Sequence, residues 1–356
     1  DADFIIVDEF SMVDTWLANQ LFSNISSNSK ILIVGDSDQL PSVSPGQVLA
    51  DLLQIPMLPQ TRLERIYRQS QESTIVTLAS QIRQGILPED FTQKKADRSY
   101  FEIVNSHIPA TIEKILDAAL RSGIPARDIQ VLAPMYRGTA GIDAINHLMQ
   151  TLLNPPQKDQ LSFEAPQCLY RTGDKVIHLV NDAEVNVFNG DLGYITDLIP
   201  SKYTESKQDE IVIDFDGNEV IYPRNEWYKI RLAYAMSIHK SQGSEFPVVI
   251  LPITSSSKRM LERNLIYTAI TRAKSKLILL GELRAFDYAT KHMGTARKTY
   301  LIERFSELME TIEQTSTPHT EKTTSGQSYV LTEDNWSTIP AMIGISQDDL
   351  DEFFGK

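Results

Sequence analysis

The sequence predicts an α/β protein: two parallel-sheet units, the second carrying a small antiparallel barrel insert. Short β-branched runs alternate with helical patterns from the first residues onward, as in a parallel sheet with crossover helices. A second alternation of the same kind starts near residue 93 and resumes after residue 231. Between residues 171 and 231 it gives way to short alternating runs separated by turn signals, which is hairpin patterning.

Taken in order, Phe4-Ile5-Ile6-Val7 reads as a strand ending at Asp8-Glu9. Trp16, Leu17, Leu21 and Phe22 follow at helical spacing, and Ile31-Leu32-Ile33-Val34 is a second strand, stopped by Gly35-Asp36. Residues just past the carboxyl ends of parallel strands line the binding crevice, so Asp8, Glu9, Asp36 and Gln39 fall there. A helix is predicted over 73–84, punctuated by Gly85 and Pro88, then a helix over 113–120, a strand over 129–133 and a helix over 142–153 closed by Asn154-Pro155-Pro156. Asn189-Gly190-Asp191 and Asp216-Gly217-Asn218 are the hairpin turns of the insert. The α/β pattern returns at Val248–Pro252 and Lys276–Gly281, and from about residue 315 Ser, Thr, Pro and acidic residues predict a flexible tail.

Composition narrows the function classes. A chain of 356 residues suits two domains and a tail. Its longest apolar runs, such as Val248-Val249-Ile250-Leu251, have strand length, so no membrane span is expected. The lone Cys168 excludes an internal disulfide and a multi-thiolate zinc cluster, and the histidines lack metal spacing. With no secretory leader in the sequence, a cytoplasmic location is expected. The net charge of −13 argues against a nucleic-acid partner only on average. Acid collects late (Glu313, Glu321, Glu333, Asp334, Asp348-Asp349-Leu350-Asp351-Glu352), whereas Arg62, Arg65, Arg68 and Arg83 mark a basic middle. Because Asp1 opens directly into a strand, the chain reads as a fragment of a longer protein.

The chemistry-bearing residues follow the strands. Asp8 can hold Mg²⁺ directly or through water and leaves Glu9 to polarise a water attacking a phosphoanhydride; an acidic turn is the plain alternative. In Gly35-Asp36-Ser37-Asp38-Gln39-Leu40-Pro41-Ser42-Val43, Gln39 suits a γ-phosphate or the attacking water, and Pro41 and Ser42 lead the chain to another surface; taken alone the stretch reads more readily as a polar turn. Gly243 permits a tight turn. Tyr136 and Arg137 fit backbone contact or base stacking, against the alternative of a buried tyrosine.

Asp8-Glu9 and Gly35–Pro41 resemble motifs II and III of superfamily-one helicases, in the RecD/TraA branch. Leu63-Glu64-Arg65-Ile66-Tyr67-Arg68-Gln69 resembles motif IV and Ala133-Pro134-Met135-Tyr136-Arg137-Gly138 the strand-end motif of the second motor domain. Residues 237–246 resemble motif V and residues 265–273 motif VI. These blocks occur in the family's order over residues 1–282.

The resemblance implies two RecA-like domains: the C-terminal part of the first over 1–92, and the second over 93–170 and 232–312. It also implies an SH3-like barrel over 171–231 and an acidic tail over 313–356, with a protein partner for the tail left open. ATP and Mg²⁺ would sit between the domains, served by Asp8, Glu9, Gln39, Arg68 and Arg272, the last as an arginine finger opening onto the cleft, with Gly243 and Glu245 on the nucleotide. Pro41, Ser42, Tyr136, Arg137, His239, Lys240, Ser241 and Thr268 would contact single-stranded DNA, in a helicase moving 5′→3′ and meeting duplex junctions.

Two departures bear on this. No G-x-x-x-x-G-K-[ST] occurs, so the lysine for the phosphates and the hydroxyl for Mg²⁺ are missing, and the chain as given is expected to bind nucleotide poorly and hydrolyse it slowly or not at all. Ser44 stands where the family usually has Gly before Pro45-Gly46. The rival readings are a non-catalytic DNA-binding remnant and a relaxase-helicase fragment.

Overall fold

A computed structural model describes residues 2–63, 73–158, 160–166, 168–295, 297–315 and 328–330. They fall into two compact units: unit 1, Asp1–Glu72 with Thr295–Lys356, and unit 2, Ser73–Gly294.

In unit 1, β1 (Phe4–Val7) pairs in parallel with β2 (Lys30–Ile33), Phe4 opposite Lys30 and Val7 opposite Ile33. The crossover is α1 (Thr15–Asn24), started by Asp14, whose carboxylate accepts the Leu17 N–H at 2.7 Å and so satisfies one orphan donor of the first turn. Phe10, Val13 and Ala18 pack with Val48 and Leu49 of α2 (Val48–Leu52) in a small apolar core. The segment continues to β3 (Gln60–Arg62).

Unit 2 runs in chain order through α3 (Thr74–Arg83), β4 (Arg98–Glu102), α4 (Ile108–Arg121), β5 (Ile129–Ala133), α5 (Ile142–Leu153), β6 (Ser162–Ala165), β7 (Cys168–Arg171) and β8 (Lys175–His178). Then come β9 (Leu192–Ile199), β10 (Glu210–Phe215), β11 (Asn218–Pro223), β12 (Ile230–Leu232), β13 (Ala235–Ser237), β14 (Phe246–Ile253), α6 (Arg263–Thr271), β15 (Ala273–Gly281) and α7 (Leu283–Lys291). Its main sheet, ordered β13-β5-β14-β15-β4, is parallel throughout. All of β5 is buried, as expected of a strand covered on both faces. The insert is the antiparallel sheet β11-β10-β9-β8-β12, with the β6–β7 hairpin as a separate pair.

Two buried polar knots join insert to sheet. Gln130, in the middle of β5, donates to the carbonyls of Ala233 and Tyr234 at 3.1 and 3.0 Å and accepts from the Lys175 ammonium of β8 at 2.9 Å. Asp174 accepts from Gln150 (2.6 Å), Asn154 (2.8 Å), the Arg171 N–H (2.7 Å) and the Tyr234 hydroxyl (3.0 Å). Despite these four donors, burial raises the Asp174 pKa above the ordinary carboxylate value.

The chain then returns to unit 1 as α8 (Leu301–Thr315), whose Leu301 packs on the unit 1 core, and β16 (Ser328–Val330) pairs in parallel with β3.

Helix α3 buries Ile75, Leu78, Ala79 and Ile82, lies within unit 2 and is capped from there. The Asp97 carboxylate accepts the Ser73 hydroxyl at 2.9 Å and the Thr74 N–H at 2.8 Å, doing the work of an N-cap from a distance in sequence. The stretch read as tail holds the last turn of α8 and the strand β16. No helix among the described residues is long and apolar enough to cross a membrane.

Candidate functional site

Motifs II and III meet at the carboxyl end of the β1–β2 pair. The Val34 N–H donates to the Val7 carbonyl at 2.8 Å and the Phe10 N–H to the Val34 carbonyl at 3.0 Å, sewing the two strand ends together. Asp8 and Glu9 leave one strand there, and Asp36 to Gln39 leave the other. Glu9 is held in the left-handed region, φ 51 and ψ 38, a conformation that costs a non-glycine residue about 1–2 kcal/mol. Fully buried Phe10 anchors the turn on one side and the exposed Asp8 closes it on the other, accepting the Glu9 N–H at 2.7 Å. Strain kept at a carboxylate next to a crevice is a mark of functional sites.

Asp36, which sequence reasoning put in the crevice but gave no role, organises the motif III turn. It accepts the Asp38 N–H at 3.0 Å and the Gln39 side-chain amide at 3.4 Å, while its carbonyl takes the Gln39 N–H at 3.2 Å. Leu40 is buried beneath the turn, the Ser42 N–H reaches the Ser11 carbonyl at 3.1 Å, and Pro41 and Ser42 are half-buried. Arg62 of β3 lies 3.6 Å from Asp38. Arg68 and the rest of the motif IV block from residue 64 on lie outside the described residues.

Among the described residues no cluster of three or more His, Cys, Asp or Glu could hold a metal.

In unit 2 the expected residues divide between opposite edges of the sheet. Tyr136 and Arg137 follow β5, and His239, Lys240 and Ser241 follow β13, at the carboxyl edge. Glu245 and Arg272 directly precede β14 and β15, at the amino edge, with Gly243 (φ 75) in the link between. Arg272 is 2% exposed, and its guanidinium donates to the carbonyls of Thr268 at 3.2 Å and Ser244 at 3.1 Å and to the Thr271 hydroxyl at 3.2 Å. It thus bonds motif VI to motif V. Glu245 faces Lys274 at 3.5 Å.

At the carboxyl edge Tyr136 and Arg137 are exposed, and the Arg231 guanidinium of β12 sits 5.5 Å from the centre of the Tyr136 ring. The Lys240 ammonium donates to Asn189 at the tip of the insert's hairpin. Tyr136, Arg231 and Lys240 share the wall of a narrow cavity of about 60 Å³ with Asp143, His147 and Cys168. Partial burial lowers the pKa values of His239 and Lys240, so an approaching phosphate would favour their charged forms. Ser241 and Thr268 are fully buried, and the Ser241 hydroxyl is spent on the Ile238 carbonyl at 2.8 Å. Arg231 had no signal in the sequence, because a lone arginine in a three-residue strand carries none.

Residues 1–105 match an AAA domain, residues 145–215 the ATP-dependent RecD-like DNA helicase SH3 domain, and residues 232–280 the UvrD-like helicase C-terminal domain. Over 302 residues, 85% of this chain, the sequence is 32% identical to the ATP-dependent RecD2 DNA helicase of Deinococcus radiodurans. The chain belongs to the RecD-like helicases. It is also 27% identical over 303 residues, 80% of its length, to the RecBCD enzyme subunit RecD of Mycolicibacterium smegmatis. The chain spans 39% and 51% of these two relatives. Among solved structures, the Pif1 helicase from Candida albicans aligns over 86% of this chain and 76% of its own, at 18% identity and a TM-score of 0.48. The RecD-like SH3 match overlaps the observed insert, so the fold is the expected pair of parallel α/β units with an SH3-like barrel in the second.

Proposed function

We propose that the protein to which this chain belongs is a cytoplasmic ATP-dependent DNA helicase that translocates 5′→3′ on single-stranded DNA and opens duplex junctions. The observation that carries the reading is the junction of motifs II and III, with Glu9 strained into place beside the turn that Asp36 builds around Gln39. Glu9 polarises the attacking water, Gln39 senses the γ-phosphate, and Arg68 and Arg272 offset charge on the transferring group. For Arg272 this requires giving up its bonds to Thr268 and Ser244, so engagement of the nucleotide loosens motif V. Asp8 holds Mg²⁺, which supplies charge neutralisation at the phosphates when bound. Gly243 and Glu245 border the nucleotide. Pro41 and Ser42 in unit 1, and Tyr136, Arg137, His239 and Lys240 in unit 2, grip the strand, with Ser241 and Thr268 shaping that grip from below. The 356-residue chain on its own, lacking G-x-x-x-x-G-K-[ST], is read as inactive or nearly so.

The test is Glu9→Gln in the full-length protein. Turnover of ATP stimulated by single-stranded DNA is expected to fall about 10²- to 10⁴-fold, the scale of losing a general base, with DNA binding kept. Undiminished turnover in that variant would sink the assignment of Glu9.

A further inference from the structure

We propose that Arg297 is a positioning residue for motif III, a clasp through which the return of the chain from unit 2 sets the shape of the loop that carries Gln39, Pro41 and Ser42. The inference rests on the helicase reading above for its functional consequence and on geometry for the clasp itself.

The Arg297 guanidinium donates to three backbone carbonyls of one loop: Ser42 at 2.6 Å, Ser44 at 2.7 Å and Gly46 at 2.6 Å. Alternate carbonyls therefore point to one side of the loop and converge on a single cation. The intervening Pro45 carbonyl turns the other way and takes the Thr15 N–H at 3.1 Å. Two of the loop's donors are used locally, the Ser42 N–H on the Ser11 carbonyl at 3.1 Å and the Ser44 N–H on the Ser42 hydroxyl at 3.2 Å. Pro41 and Pro45 contribute no N–H at all, so the loop is rich in acceptors and poor in donors. A planar guanidinium with five N–H groups can serve three such acceptors together, whereas an ammonium on a flexible stem cannot match the fork. Charge assistance makes these bonds strong.

The place of Arg297 in the chain gives the clasp its meaning. Gly294 is the last residue of unit 2, so Arg297 sits just beyond it, on the segment that carries the chain back to unit 1. On the unit 2 side this segment is tied to the start of α6: the Arg263 N–H donates to the His292 carbonyl at 2.9 Å. Arg272 stands at the other end of the same helix. The loop so held begins next to Gln39 on the nucleotide side and includes Ser42 on the strand side.

The experiment compares wild type, Arg297→Ala and Arg297→Lys in the full-length protein by two readouts. In hydrogen exchange, a peptide covering residues 40–47 is expected to exchange at least about tenfold faster in Arg297→Ala, since its carbonyls lose their common partner. In steady-state ATP turnover with single-stranded DNA, Arg297→Ala is expected to lower kcat about tenfold and raise the half-saturating DNA concentration several-fold. KM for ATP should stay within about twofold, a split that a general loss of folded protein does not give. Arg297→Lys is expected to recover part of kcat. Unchanged exchange over residues 40–47 would overturn the clasp. Faster exchange with wild-type kcat and DNA response, or an equal loss of ATP affinity and kcat with a lowered melting temperature, would overturn the positioning role. A wild-type protein with no DNA-stimulated turnover would instead overturn the helicase reading, and the exchange comparison would still decide the clasp.

Discussion

The two parallel sheets are built from strands of similar composition yet are covered to different degrees. Every residue of β5 is buried in the five-stranded sheet of unit 2, with a helix-rich chain on either side of it in sequence. In unit 1 no residue of β1 or β2 is fully buried, Ile6 is 54% exposed, and Trp16 of α1 is 69% exposed. A β-branched run is suited to burial on both faces, and a two-stranded sheet cannot provide that. The comparison teaches that a strand's sequence states the burial it needs, while its neighbours decide how much it gets. For unit 1, in a chain spanning 39% and 51% of its two curated relatives, the difference falls on the strands that carry Glu9 and Gln39.

Hydrogen exchange and three substitutions put this contrast and the burial behind it to the test. The largest effect is expected in hydrogen exchange of this chain: amides of β1 and β2 should exchange about 10³-fold or more faster than those of β5 and β14, because small sheets open at little cost. Similar protection in both would remove the contrast. Next come two glycines at the carboxyl edges of the sheets. At Gly281, with φ +126, an added Cβ would lie 1.8 Å from the Ile253 carbonyl oxygen, so Gly281→Ala is expected to cost unit 2 about 3 kcal/mol or more in denaturant unfolding. At Gly35 an added Cβ meets the end of the Leu49 side chain at 2.8 Å and two backbone nitrogens at 3.1 Å, and Gly35→Ala is expected to cost unit 1 about 1–2 kcal/mol. A larger loss at Gly35 would show the unit 1 packing to be the less forgiving of the two.

An effect comparable to that at Gly35 concerns Lys175, 4% exposed, whose pKa burial pushes down to about 8 from 10.5. A base depressed in the folded state costs stability while it is charged there. That cost is complete below about pH 8 and is relieved as pH rises toward the unfolded value. Lys175→Met removes the charge, so the variant's stability relative to wild type should fall by about 1–3 kcal/mol between pH 7 and pH 10. A difference that stays constant with pH would refute the buried cation.

Much of the architecture was legible. The strands Phe4–Val7 and Ile129–Ala133 and the helix Ile142–Leu153 have the bounds the sequence suggests, since each is an apolar pattern closed by acids, Pro, Gly or Asn. The motif order located the strand ends that bear Asp8, Glu9 and Tyr136, while the strand before His239 was not read from the sequence. What was not legible depends on contacts far apart in sequence. Arg98–Glu102 lacks an apolar run and is a strand because it lies along β15. The allegiance of α3 is set by its packing and by Asp97, and that of α8 by Leu301. Local pattern marks Ser241, Thr268 and Arg272 as polar and well placed, but it cannot tell that the fold closes over them. Arg297 had no local signal at all, because its three partners are carbonyls more than 250 residues earlier.

Unit 1 is assembled from two stretches of chain separated by the whole of unit 2. Synthesis runs from the amino end, so residues 73–294 can fold on the ribosome as one continuous piece while Leu301 and Arg297 are still unmade or in the exit tunnel. The motif III loop acquires its guanidinium only after that, which makes the loop next to Gln39 one of the last parts of the newborn protein to settle.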